Sequence, residues 1–193
     1  LGLFDPPEQV SHTRIPESVI DSPAHRALAR RAAQESLVLL RNEHDFLPIR
    51  PERTRRIVVA GPRADRPELG RKQTGSSAVN ISAFEGLRDR AAKEGITVTY
   101  QKEISTENME ADLIVFFTSL MEGEVTDRHD LSLPPRQEEQ LLQWIETGKP
   151  VVVVLISGGC VTGARWIHRV PSILAAWYPG EEGGNAIADV LFG

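Results

Sequence analysis

Glu122, Glu124, Asp127 and Arg128 put three carboxylates and a guanidinium within seven residues, just after the apolar run Leu113-Ile114-Val115-Phe116-Phe117. A carboxyl group on a loop at the end of a buried strand can serve as general acid or base when its surroundings hold its pKa near working pH. The same four residues also make an acceptable solvated acidic turn, with Asp127 and Arg128 pairing elsewhere to fix the loop. Spacing alone leaves both readings open.

Two further loops merit the same scrutiny. Ser157-Gly158-Gly159-Cys160-Val161-Thr162-Gly163 follows an apolar run and superficially resembles a phosphate cradle. It lacks the Lys-Ser/Thr ending of a P-loop and the glycine spacing of a dinucleotide fold, so a tight strand-to-loop turn is the better reading. Cys160 has no histidine nearby in sequence and is expected to be a small buried thiol. Trp177-Tyr178-Pro179-Gly180-Glu181-Glu182-Gly183-Gly184 has glycines suited to left-handed backbone and to close helix–sheet approach, with acids at a helix start. His12, His25, His44, His129 and His168 form no metal-spaced pair and no G-x-S-x-G elbow is present, which disfavours a metal site or a serine hydrolase.

The elements that must position these loops can be read from periodicity. Asp21-Ser22-Pro23 is a helix start, and the helix runs on through Ala33 with Leu28, Ala32 and Glu35 near one face. Val38 to Leu40 can turn to strand. Ile57 to Ala60, ended by Gly61-Pro62, Ile96 to Tyr100, Leu113 to Phe117, Val151 to Ile156 and Ser172 to Ala176 read as strands. Helices are expected over Ala83 to Glu94, with Phe84, Leu87 and Ala91 inward; over Leu133 to Thr147, with Leu141, Leu142 and Ile145 on one face; and from Glu181 or Glu182 towards Leu191. Gly70 to Ser82 reads as a loop, and Arg50, Arg53, Arg55 and Arg56 as a solvated turn. Apolar strands alternating with helices imply an α/β fold, a mostly parallel sheet with helices on both faces, flavodoxin-like in outline. Functional loops then gather at the carboxyl ends of the strands, which are the three loops above.

Composition narrows the partners. The 193 residues are 40% hydrophobic, which excludes disorder, and carry a net charge of −5, the wrong balance for a nucleic-acid partner. No apolar run approaches the ~20 residues a bilayer span needs, so no membrane partner is expected. One cysteine excludes an intrachain disulfide framework. Residues 1–20, with Pro6, Pro7 and Pro16, read as an extended linker lying on something else, and residues 21–193 as one domain. The chain begins with Leu1 and stops without a polar tail, as an excised piece of a longer protein would.

Taken together, four stretches resemble the C-terminal α/β-sandwich domain of glycoside hydrolase family 3, the β-glucosidase and β-xylosidase family. They are Leu1-Gly2-Leu3-Phe4-Asp5-Pro6-Pro7; Ala32 to Asn42 with Leu47-Pro48; Glu122-Gly123-Glu124 with Asp127-Arg128, Leu131 and Leu133-Pro134; and Ala176 to Gly193. The resemblance implies an active site shared with a preceding (β/α)₈ barrel that supplies an aspartate nucleophile, residues 1–20 being the linker from it. The family's Gly-Glu-x-x-Asp-Arg motif falls on Gly123, Glu124, Asp127 and Arg128, which implies Glu124 as acid/base with Glu122 as the fallback. Asp127 and Arg128 would orient the loop and, with Glu122, are the candidate substrate-binding residues.

The implied activity is that of a retaining exo-β-glycosidase acting on a β-linked oligosaccharide or glycoside, without metal or organic cofactor, and the fragment alone should hydrolyse nothing. A noncatalytic α/β module that shapes a carbohydrate cleft or mediates homodimerisation is the alternative. A nucleotide-binding flavodoxin-like domain would need the phosphate loop that is missing.

Overall fold

The computed structural model describes residues 2–67, 69, 79–105, 110–120, 122–123 and 128–193. Glu124 and Asp127 lie outside the described residues, as does most of the Gly70 to Ser82 loop. The described elements are, in chain order, α1 (Pro23–Ser36), β1 (Val38–Asn42), β2 (Arg56–Ala60), α2 (Ala83–Ala92), β3 (Thr97–Tyr100), β4 (Leu113–Phe117), α3 (Pro135–Glu146), β5 (Val151–Leu155), β6 (Ser172–Ala175) and α4 (Gly183–Phe192). Residues 7–19, expected to be extended, form three short 3₁₀ turns instead, each begun or preceded by a proline or by Val10.

The six strands make one sheet in the order β1-β6-β5-β4-β2-β3, parallel throughout except for β1. Because successive side chains of a strand point to opposite faces, the buried runs divide cleanly between two cores. Ile57, Val59, Leu113, Val115, Phe117, Val152, Val154 and Leu174 meet Leu87 and Ala91 of α2 and Ile187 and Leu191 of α4. Val58, Ile114, Phe116, Val151, Val153 and Ile173 meet Leu141 and Trp144 of α3 and the buried Trp166. This two-sided cover explains why β4 and β5 are apolar at every position.

Two helices are covered in different ways. In α1, Leu28 is 65% exposed and the buried residue is Ala33. The helix docks on α4 through polar contacts: Arg30 donates twice to the Asp189 carboxylate, at 2.6 and 2.7 Å, and Gln34 donates to it as well. In α3 the fully buried pair is Leu141 and Trp144, with Leu142 and Ile145 only partly covered. That helix starts at Pro135, not Leu133, since two successive prolines suit an extended entry and a first turn.

Helix α2 opens with a capping box: the Ser82 hydroxyl accepts from the Glu85 amide at 3.2 Å, and the Glu85 carboxylate accepts from the Ser82 amide at 3.0 Å. The Ser82 hydroxyl and amide hold the Glu85 carboxyl below its ordinary range. Helices α2 and α4 cross so closely that a Cβ on Gly86 would lie 2.1 Å from the Gly184 backbone. The close approach expected of Gly184 is therefore to α2 rather than to the sheet.

At the amino end of the sheet, Asp112 ties β4 to β2. Its carboxylate accepts from the amides of Arg55 at 2.7 Å and Arg56 at 2.9 Å, and these bonds lower its pKa. A depressed carboxyl pKa gives stability that is present above the unfolded value, about 3.9, and lost as pH falls through the folded value. Asp112→Asn is therefore expected to be less stable than wild type at pH 7, by under about 1 kcal/mol because the group is exposed. The two should converge only in stronger acid, as pH falls through the lowered folded value. Denaturant melts at neutral pH and in strong acid check this, and a gap that persists in the acid would refute it.

Arg50, Arg53, Arg55 and Arg56 are exposed, the last paired with Glu110, in keeping with a solvated turn. No helix among the described residues is long and apolar enough to cross a membrane.

Candidate functional site

Each of the three loops singled out in the sequence leaves the carboxyl end of a strand, and the strand order β6-β5-β4 makes them neighbours. The chain leaving β4 is fixed first. The Leu120 amide donates to the Ile156 carbonyl at 3.1 Å, and the Gln137 side chain binds both backbone groups of Ser119, at 3.1 and 2.7 Å. These bonds hold the exit of β4 against β5 and the first turn of α3.

Two residues later the Glu122 carboxylate turns inward. Its Oε1 lies 2.5 Å from Arg128 Nε, and its Oε2 accepts from the Gly158 amide in the loop after β5. Arg128 Nη2 donates to the Cys160 carbonyl at 2.6 Å. The side chains of Glu122 and Arg128 are only 16% and 17% exposed, so this is a largely desolvated ion pair with further backbone partners. Such a pair holds its shape because removing one member strands the other charge.

Gly158 must be glycine for the arrangement to exist, since a Cβ there would lie 2.6 Å from Glu122 Oε2. From the third loop, the Tyr178 hydroxyl donates to the Leu120 carbonyl and accepts from the Glu122 amide at 3.2 Å. A short parallel bridge, Ser132 to Thr162, continues the contact between the first two loops beyond Arg128.

The structure thus brings Glu122 and Arg128 together and places them at the two ends of the segment that holds Glu124 and Asp127. Glu122 Oε2 accepts a hydrogen bond, while Oε1 is held by its charge contact with Arg128 alone. An open cleft borders the pair, lined by Ser119, Glu122, Arg128, His129, Glu138 and Arg165. Glu138 and Arg165 pair across it at 2.8 Å.

Cys160, expected to be buried, is exposed. Its carbonyl is the group that meets the site, accepting from Arg128 Nη2. Among the described residues no group of three or more His, Cys, Asp and Glu side chains could hold a metal. Sequence reasoning missed Tyr178 and the Gly158 amide. The signal for the first was available: a tyrosine at the end of a buried strand brings an apolar ring and a hydroxyl that needs a partner.

Comparison with known proteins supports this arrangement of strands and loops. The chain is 31% identical, over its whole length, to a β-xylosidase of Formosa agariphila and covers 30% of that protein. It is 33% identical, over 90% of its length, to thermostable β-glucosidase B of Acetivibrio thermocellus and covers 25% of it. Among solved structures, a β-glucosidase from Erythrobacter marinus superposes on the whole chain with a TM-score of 0.83 at 31% identity, the chain covering 31% of it. A β-glucosidase from Listeria innocua in complex with isofagomine does so with a TM-score of 0.83 at 27% identity, the chain covering 28%. The chain thus spans under a third of the length of the relatives it matches. Residues 37–193 match the family model described as the glycosyl hydrolase family 3 C-terminal domain, and the chain belongs to that family.

Proposed function

We propose that this chain is the acid/base-bearing part of a retaining exo-β-glycosidase of β-glucosidase or β-xylosidase type. Glu124 donates a proton to the glycosidic oxygen as the bond breaks, then takes one from the water that releases the sugar. The attacking carboxylate belongs to a (β/α)₈ barrel in the remaining part of the full-length protein. Retention requires the two carboxyl groups about 5 to 5.5 Å apart, which fits a donor carried out from the sheet on a loop towards a neighbouring domain.

The observation that carries this reading is the closed root of that loop. Glu122 and Arg128 pair with each other and are tied to Gly158 and Cys160 at the carboxyl ends of the strands. A proton donor must be held close to its target geometry to be effective, and a loop free at its base could not do that. The commitment of the Glu122 carboxylate to Arg128 and to the Gly158 amide supports Glu124, two residues on in sequence, as the donor. Glu122 and Arg128 then anchor the loop. The names of the relatives, β-xylosidase and β-glucosidase, support a β-linked substrate.

The test is Glu124→Gln in the full-length protein, assayed on a β-linked disaccharide and on an aryl β-glycoside with an activated leaving group. Undiminished hydrolysis of the disaccharide would overturn the assignment. The 193-residue chain alone is expected to hydrolyse neither substrate, since it brings only one of the two carboxyl groups; measurable turnover by the purified chain would contradict the division of labour.

A further inference from the structure

We infer that Tyr178 is a positioning residue for the proton donor, its hydroxyl setting the direction in which the loop bearing Glu124 leaves the sheet. The inference rests on the role proposed above for Glu124. Three observations carry it.

First, one oxygen atom serves two backbone groups. The Tyr178 hydroxyl donates to the Leu120 carbonyl while accepting from the Glu122 amide, which also donates to Leu120 at 3.1 Å. Only a group that is donor and acceptor at once can close such a triangle, and a phenol is one. The triangle fixes the Leu120 carbonyl and the Glu122 amide, immediately beside the Glu122 and Arg128 anchor.

Second, the ring is seated where nothing larger than glycine fits beneath it. A Cβ on Gly158 would lie 3.1 Å from Tyr178 Cε2 and 2.6 Å from Glu122 Oε2, so ring and carboxylate share one glycine floor. Third, the residue before it is held in a conformation its type avoids. Trp177 has φ +56°, in the left-handed region that a bulky side chain rarely adopts, and its indole Nε1 donates to the Ser36 carbonyl at 3.1 Å. Such a residue persists where its surroundings over-determine it. Here the left-handed turn is what carries the chain from β6 back over the ends of β5 and β4.

Tyr178 touches neither substrate nor reacting atoms in this scheme, so its effect must appear through the donor. In Tyr178→Phe the ring remains and the Leu120 carbonyl keeps the Glu122 amide, so the fold should be retained. In the full-length protein, kcat/KM on a β-linked disaccharide is expected to fall about 10- to 100-fold, the scale of a misplaced catalytic group. On an aryl β-glycoside whose leaving group needs no proton it should fall less than about 3-fold, since bond breaking there draws little on the donor.

A merely structural role would lower both substrates alike, and either that result or wild-type values on both would overturn the inference. Glu124→Gln run beside it separates the two claims. If that variant loses the disaccharide selectively and Tyr178→Phe does not, positioning alone is refuted. If Glu124→Gln shows no selectivity, the proton-donor assignment falls and the Tyr178 inference falls with it.

Discussion

Glu124→Gln in the full-length protein is expected to lose about 10²- to 10⁴-fold in kcat/KM on a β-linked disaccharide, the range a positioned general acid contributes. A sugar alkoxide is a poor leaving group, and without a proton the first step carries the whole deficit. On an activated aryl β-glycoside, kcat/KM should stay within a few-fold of wild type, because that parameter reports a first step needing no acid. The second step still lacks its base, so kcat should fall and the aryl product should appear in a burst. Azide attacks without base assistance and should restore turnover with formation of a β-glycosyl azide. Uniform loss on both substrates with no azide effect would assign Glu124 to something other than proton transfer.

The second large effect concerns stability. Gly61, at the end of β2, has φ +102°, and a Cβ there would lie 2.0 Å from the Phe117 carbonyl oxygen at the end of β4. Both obstacles are backbone: the residue must leave a conformation that L side chains avoid, or two central strands must part. Gly61→Ala is expected to cost about 3 kcal/mol, the upper range of overpacking, and to lower Tm by about 6 to 12 °C. Gly148 provides the comparison, since its φ is +74° but nothing lies within 4 Å of its would-be Cβ. Gly148→Ala should cost only about 1 kcal/mol, the conformational part. Equal Tm losses in the two variants would show that the approach of β2 to β4 is not tight.

Which parts of this molecule could be read from sequence follows from how each is stabilised. β5 was legible because both its faces are covered, so every position had to be apolar. β1 was ambiguous for the opposite reason: it is an open edge, and its Val38, Leu39 and Leu40 are 44%, 48% and 58% exposed. The buried face of α1 could not be read because Arg30 and Gln34 dock it through Asp189, and a polar contact leaves no apolar stripe.

For the site, the strand-end rule led to all three loops, because it depends only on strand direction. The partners within it were hidden. Glu122 and Gly158 are separated by 36 positions and meet because β4 lies beside β5, a fact of strand order that no local spacing encodes. The part Cys160 plays was hidden because the peptide carbonyl, which every residue carries, is the group used there.

The ion pair at the loop root also bears on how such a protein can diverge. A segment whose two ends are pinned by Glu122 and Arg128 is closed at the same place whatever its length. Loop closure becomes costlier only slowly, by about 0.6 kcal/mol for each doubling of the segment. Insertions or deletions between Gly123 and Asp127 therefore leave the sheet, its two cores and the other loops undisturbed. The length and composition of this segment can be rewritten by a lineage as a replaceable part, while the clasp that holds it stays the same.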